Sequence, residues 1–145
     1  MSATQKTQLQ SFSSSSSTDE LLAAISRDGA AIVEGLLTPA EIDQFRQELD
    51  PYMNATEDGA DNFSGRSTTR TGALVARSAK ARDMVTHPAV LAAANQFLDP
   101  YCERIQLHLS QIIRLRPGQG KQEIHRDRWA WGKYLQNVEP QFNTI

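Results

Sequence analysis

One segment in the second half of the chain, residues 105–115, alternates apolar and polar side chains. A period of two predicts a β-strand with one apolar face, because successive side chains of a strand point to opposite sides of the sheet. The apolar positions of this segment are Ile105, Leu107, Leu109, Ile113 and Leu115. An apolar face of this length must be covered by another part of the protein. Gln111 interrupts the face, which predicts either a buried, hydrogen-bonded amide or a group that points into a pocket.

Helix signals precede this strand in the sequence. Thr18 is followed by two acids and predicts the start of a helix that Gly29 closes. A short strand is expected over residues 30–37. Thr38 is an N-cap residue followed by a proline and then an acid, which predicts a second helix that ends near Pro51.

The middle and the end of the chain complete the predicted order of elements. We expect a loop over 54–71, a short extended piece over 72–75, a helical region over 78–98 that is interrupted at Pro88, a turn over 116–120 and a second extended segment over 121–131. Helices come first and strands later. This order predicts an α+β fold, with N-terminal helices packed on a mostly antiparallel sheet.

Composition excludes several classes of protein. The chain has 145 residues and a formal net charge of −2, so it lacks the basic surplus of a general nucleic-acid-binding protein. It has no apolar run long enough to span a membrane, and its single cysteine, Cys102, excludes an internal disulfide framework. We therefore expect a cytoplasmic protein with neither nucleic acid nor membrane as a partner. Residues 1–18 are rich in serine and glutamine and are predicted to be a disordered tail, which leaves 19–145 as the domain.

The pair His125 and Asp127 is the most informative chemical feature. Residues two apart on a strand project from the same face, so an imidazole and a carboxylate at this spacing can bind one metal ion. Such a pair supplies two of the three ligands in a 2-His-1-carboxylate iron site. Alone the motif is weak, since a surface histidine with a nearby aspartate is common.

The residues around this pair resemble a known family. The stretch 112–131 contains the Pro117–Gly118 turn, Gln122 and the run His125-Arg126-Asp127-x-Trp129. It resembles the phytanoyl-CoA dioxygenase family of iron(II)- and 2-oxoglutarate-dependent oxygenases, and it looks most like the fungal and bacterial members that act on secondary metabolites. Two upstream stretches, 28–51 and 70–78, also look similar to that family.

The resemblance implies roles for individual residues. His125 and Asp127 match the first two iron(II) ligands, and Gln122 matches a residue that hydrogen-bonds 2-oxoglutarate, with an ordinary strand amide as the alternative. Trp129 and Gln111 are assigned to the substrate pocket, although packing is the more common role of a tryptophan such as Trp129. The implied protein is a dioxygenase with part of a jelly-roll (double-stranded β-helix) barrel. It would act on a C–H bond of a small organic substrate by hydroxylation, desaturation or rearrangement.

The family's pattern continues beyond the end of this sequence. A third iron ligand, a histidine, and an arginine that binds 2-oxoglutarate are implied far downstream of Asp127, which only eighteen residues follow. A jelly roll needs about eight strands, of which about four are predicted here. We therefore expect the N-terminal half of a dioxygenase domain, inactive by itself. Two other functions are left open: an inactive fragment that acts as an interaction protein, and a zinc hydrolase. Assembly into a homodimer is left open as well.

Overall fold

The computed structural model describes residues 9–125 and contains five helices and four strands there. In chain order these are β1 (Ser11–Ser13), α1 (Thr18–Asp28), β2 (Ile32–Glu34), α2 (Pro39–Asn54), β3 (Thr68–Gly72), α3 (Leu74–Arg77), α4 (Ala79–Val85), α5 (Pro88–Leu98) and β4 (Gln111–Leu115). The prediction of a fold that combines helices with sheet is confirmed. The described sheets are small and open, so the jelly-roll barrel stays a prediction. None of the described helices is long and apolar enough to cross a membrane.

The strands form two separate two-stranded sheets. β1 and β2 run parallel, and β3 and β4 run antiparallel with Thr68 opposite Leu115. The antiparallel sheet is the one that leads to the predicted site, because the chain passes from β4 into the segment that holds His125.

Helices α1 and α2 begin with the same hydrogen-bond arrangement. The Ser17 hydroxyl accepts from the backbone N–H of Glu20, and the Glu20 carboxylate accepts from the N–H of Ser17. Thr38 and Glu41 form the same capping box at the start of α2. A capping box pairs N–H groups that the helix cannot pair itself, so both starts are encoded by a few neighbouring residues.

Helix α2 lies at the centre of the hydrophobic core. Leu49 is fully buried and packs against Leu74 of α3 and Ala81 of α4. Three partly buried side chains pack around this cluster: Phe45, Met53 and Ile112. Because Ile112 belongs to β4, α2 connects the antiparallel sheet to the short helices, as the prediction of helices packed on a sheet requires.

The described part of the predicted disordered tail differs from that prediction. Ser11–Ser13 is strand β1, and Ser17 is the N-cap of α1. The physical reason is the parallel pairing of β1 with β2, together with the burial of Phe12, which is only 8% exposed. The first eight residues lie outside the described residues.

Three predicted boundaries were wrong. Helix α2 continues past Pro51 to Asn54, because the packing of Met53 on the core offsets the hydrogen bond that a proline cannot make. The extended piece expected over 72–75 lies at 68–72 instead, and Leu74–Arg77 is a helix. Only the last five residues of the predicted 105–115 strand are paired, because β3, the strand that pairs with them, is itself five residues long.

A glutamate of α2 caps the start of α4. The Glu48 carboxylate accepts a hydrogen bond from the hydroxyl of Ser78, which is the N-cap of α4, and one of 3.0 Å from the backbone N–H of Lys80. These bonds, the one from Ser78 first, lower the pKa of Glu48 from 4.5 to about 2. The charged carboxylate thus joins two helices that are far apart in sequence.

We predict that Glu48→Gln lowers the melting temperature of the full-length protein at neutral pH by several degrees. The folded-state pKa of Glu48 lies below the ordinary value, so its stabilising effect is complete above pH 4.5 and is lost as the pH falls toward 2. The wild-type melting temperature should therefore fall more steeply between pH 5 and pH 2 than that of the variant. Melts followed by circular dichroism test this, with the exposed Glu57→Gln as the control. Parallel curves for wild type and Glu48→Gln would refute the assignment.

Candidate functional site

The structure describes three of the predicted site residues: Gln111, Gln122 and His125. Asp127 and Trp129 lie outside the described residues, and so does the prediction that His125 and Asp127 share one face of a strand. The predicted second extended segment begins at residue 121, but its described part, 121–125, is not paired as a strand. A strand needs a neighbour to bond to, and within residues 9–125 this segment has none.

The predicted turn between β4 and this segment is confirmed. The backbone N–H of Gln119 donates to the carbonyl of Arg116 at 3.2 Å, and Gly118 has a φ of +86°. The turn is also anchored to the chain before β3. The backbone N–H of Arg116 donates to the carbonyl of Ser67, and its guanidinium forms an ion pair with Asp58.

His125 is exposed, and its ring contacts the backbone two residues earlier. Its Nδ1 lies 2.7 Å from the carbonyl oxygen of Glu123. A carbonyl only accepts hydrogen bonds, so this contact requires a proton on Nδ1, and the tautomer that has it there carries its lone pair on Nε2. Metal-binding histidines use the same arrangement, in which a carbonyl fixes the tautomer of the ligand.

Phe63 lies against this imidazole. The two ring centroids are 5.0 Å apart and the ring planes meet at 60°, an edge-to-face contact. The side-chain amide of Gln122 donates to the carbonyl of Phe63 at 2.7 Å. The structure therefore brings Gln122 and His125 together on one loop. The role of Gln122 toward 2-oxoglutarate stays a prediction.

The loop that holds Phe63 is tightly wound. Asp61 accepts hydrogen bonds from the hydroxyl and the backbone N–H of Ser64, which lower the pKa of Asp61. The guanidinium of Arg70 on β3 donates to the carbonyl of Ser64. Gly65 closes the loop with a φ of +88° and lies against Thr68. Backbone turns and an arginine of the antiparallel sheet thus fix the position of Phe63.

We predict that Gly65→Ala destabilises the full-length protein by about 1–3 kcal/mol, because a left-handed residue with a side chain is strained. The new Cβ would also collide with the hydroxyl of Thr68. Urea unfolding measures the loss. Gly120→Ala is the matched control, since a Cβ there meets nothing within 4 Å and the φ is not positive. Equal stability of the two variants would contradict the described loop.

Gln111 is the first residue of β4, where it pairs with Gly72 and is half-buried. It lies on the strand face opposite to Ile112, which packs on the core. The same face carries Ile113 and Leu115, which are 50% and 65% exposed. Gln111 therefore does not point into the core around α2, and its role in a substrate pocket stays a prediction.

An open cleft of about 620 Å³ lies between α2 and β4. Its apolar lining includes Phe45, Met53, Met84 and Ile112, and its charged lining consists of Arg46, Arg114 and Asp50. None of the described candidate residues lines this cleft. The cleft is thus separate from the loop that carries His125.

Residues 9–125 contain no group of three histidine, cysteine, aspartate or glutamate side chains that could hold a metal ion. His87, which is also described, caps α5 by accepting a hydrogen bond from the backbone of Ala89. A metal at His125 would accordingly need ligands from outside the described residues.

The sequence pattern of the phytanoyl-CoA dioxygenase (PhyH) family matches residues 25–144. The chain belongs to this family. Membership confirms the resemblance that the residues around His125 indicate. The matched range includes all five predicted site residues of this PhyH-family chain: Gln111, Gln122, His125, Asp127 and Trp129.

Similar proteins of known name are fungal dioxygenases. The chain is 31% identical to the dioxygenase FUM3 of Gibberella moniliformis, over 97% of this chain and 52% of the relative. It is 30% identical to the dioxygenase FrzG of a Cladobotryum species, over 76% of the chain and 41% of the relative. It is 31% identical to the dioxygenase ALT11 of Alternaria alternata, over 88% of the chain and 46% of the relative. The chain spans about half the length of these relatives.

Sequence reasoning missed the contribution of the loop that precedes β3. Phe63 was one aromatic residue in a polar segment, and Gln119 was one residue of a turn. The available signal was the pair Gly59 and Gly65, since two glycines in a short polar stretch indicate a closely wound loop. Nothing local linked that loop to His125.

Proposed function

We propose that the full-length protein is a non-haem iron(II)- and 2-oxoglutarate-dependent oxygenase. Its substrate would be a small organic molecule of secondary metabolism that is attacked at a C–H bond. The observation that carries the proposal is the family match over residues 25–144, which includes the His125–Asp127 pair. The names of the fungal relatives support the oxygenase class.

The donor atoms of the chain fit iron(II). The Glu123 carbonyl holds the proton of His125 at Nδ1, so Nε2 is the nitrogen suited to bind a metal. Asp127 would add an anionic oxygen, and a neutral nitrogen with a carboxylate is the donor pair of 2-His-1-carboxylate iron sites. The third protein ligand would come from a part of the protein beyond this sequence. Bound iron(II) and 2-oxoglutarate would supply the activation of dioxygen.

The remaining residues of the proposed site would bind and orient 2-oxoglutarate and the substrate. Gln122 would contact 2-oxoglutarate through its side-chain amide, close to the metal ligand on the same loop. Trp129 and Gln111 would line the substrate pocket and exclude water. Residues 19–145 would then form part of a jelly-roll dioxygenase domain that binds a small molecule.

Metal analysis combined with oxygen uptake tests this proposal. The full-length protein should bind iron(II) in a one-to-one ratio and consume oxygen only when 2-oxoglutarate is present. A protein that retains zinc and hydrolyses a substrate without oxygen would be a hydrolase instead. A protein that binds neither metal would be an interaction protein that has lost catalysis.

A further inference from the structure

Three contacts attach the loop before β3 to the segment that carries His125. We call residues 58–67 the Phe63 loop. At its C-terminal end, the backbone N–H of Ser67 donates to the side chain of Gln119 at 2.8 Å. In the middle, Gln122 donates to the carbonyl of Phe63 at 2.7 Å. At the start of the loop, Asp58 forms an ion pair with Arg116. The loop and the segment therefore form one connected unit.

This unit brings the Phe63 ring to the imidazole of His125. Phe63 is 56% exposed, and the residues next to it in the loop are mostly polar. A large aromatic ring that remains half in solvent gains little by packing against the core. Its described ring contact is the edge-to-face approach to His125, with centroids 5.0 Å apart. The attachments of the loop hold the backbone of Phe63 beside His125.

Two constraints are needed to fix an imidazole. The hydrogen bond between Nδ1 of His125 and the carbonyl of Glu123 sets the tautomer and holds one atom of the ring. Phe63 adds a contact on the ring itself, edge to face, and so restrains the tilt of the imidazole plane and with it the direction of Nε2.

We propose that Phe63 is a positioning residue for His125. It acts by holding the imidazole plane so that Nε2 faces the metal before the metal binds. The inference rests on the proposed function, because it assumes that His125 is a metal ligand. It extends that function to a residue 62 positions earlier in the chain, which does not itself bind metal.

The test uses the full-length protein with cobalt(II) alone as a probe that oxygen does not readily oxidise. Titration calorimetry should give a dissociation constant about tenfold weaker for Phe63→Leu, as is usual when the support of a metal ligand is removed. Phe63→Tyr keeps the ring and should bind within about twofold of wild type. Tyr101→Leu is the matched control, since Tyr101 is equally exposed, at 57% against 56% for Phe63, but follows α5.

A second readout does not depend on metal. In the metal-free protein, NMR should show the ring protons of His125 shifted by the nearby aromatic ring, and Phe63→Leu should abolish that shift while Tyr101→Leu leaves it. Cobalt(II) binding that is unchanged in Phe63→Leu but lost in His125→Ala would overturn the positioning role alone. Binding that is unchanged in His125→Ala would overturn the proposed metal site, and this inference with it.

Discussion

Replacing Asp127 by alanine in the full-length protein should abolish succinate formation from 2-oxoglutarate. The ion would lose one of three protein ligands and the only anionic one. Asp127→Glu should fail as well, because the additional methylene group moves the carboxylate by about an ångström, more than a preorganised site tolerates. The measurement is the initial rate of succinate release with iron(II) and ascorbate present.

Arg126→Ala is the matched control for this experiment. Arg126 lies between the two predicted ligands in sequence, and on a strand it would point away from both. This variant should keep most of the wild-type rate. A wild-type rate in either Asp127 variant would show that Asp127 does not bind the metal.

The 145-residue chain expressed by itself should self-associate. Four side chains in and before β4 are at least half exposed: Leu107 (54%), Leu109 (59%), Ile113 (50%) and Leu115 (65%). Several exposed large apolar side chains within nine residues are unusual on a soluble monomer and favour association with a second copy. Gel filtration with light scattering should therefore give a dimer or a larger species.

Polar substitutions on this face should reverse the association. Burial of a leucine contributes about 1.5–3 kcal/mol, so changing both Leu109 and Leu115 to serine should weaken association by about two orders of magnitude or more. Leu91→Ser is the control, because Leu91 is 36% exposed and lies on α5. A monodisperse wild-type monomer would refute the prediction, and an effect of Leu91→Ser equal to that of the double variant would place the contact elsewhere.

Helix starts and breaks were predictable because their causes are local. The capping box of Thr38 and Glu41 lies within four residues, and the break before Pro88 follows from the proline itself. Gly29 ends α1 with a φ of +79°, as a glycine after the last helical residue predicts. Each of these features is determined by residues that are close together in the sequence.

Strand limits were not predictable, because a strand ends where its partner ends. The alternation over 105–115 extends over eleven residues with one interruption at Gln111, but only Gln111–Leu115 pairs with β3. The pairing of Ser11–Ser13 with Ile32–Glu34 joins a serine-rich stretch to a segment about twenty residues away. No periodicity within either stretch encodes that contact.

One part of the candidate site was predictable from the sequence and another part was not. The His125–Asp127 spacing and Gln122 could be recognised as a motif within one short stretch. The approach of Phe63 to His125 could not, because it depends on how Gln119 and Gln122 hold a loop more than fifty residues earlier in the chain. A motif identifies ligands, whereas their support comes from tertiary contacts.

The most direct test of the central claim is the ratio of succinate formed to oxygen consumed by the full-length protein, compared with His125→Ala. We expect a ratio near one that requires both iron(II) and 2-oxoglutarate, and a rate for His125→Ala no higher than without enzyme. Oxygen consumption without succinate, or succinate release by His125→Ala at the wild-type rate, would contradict it.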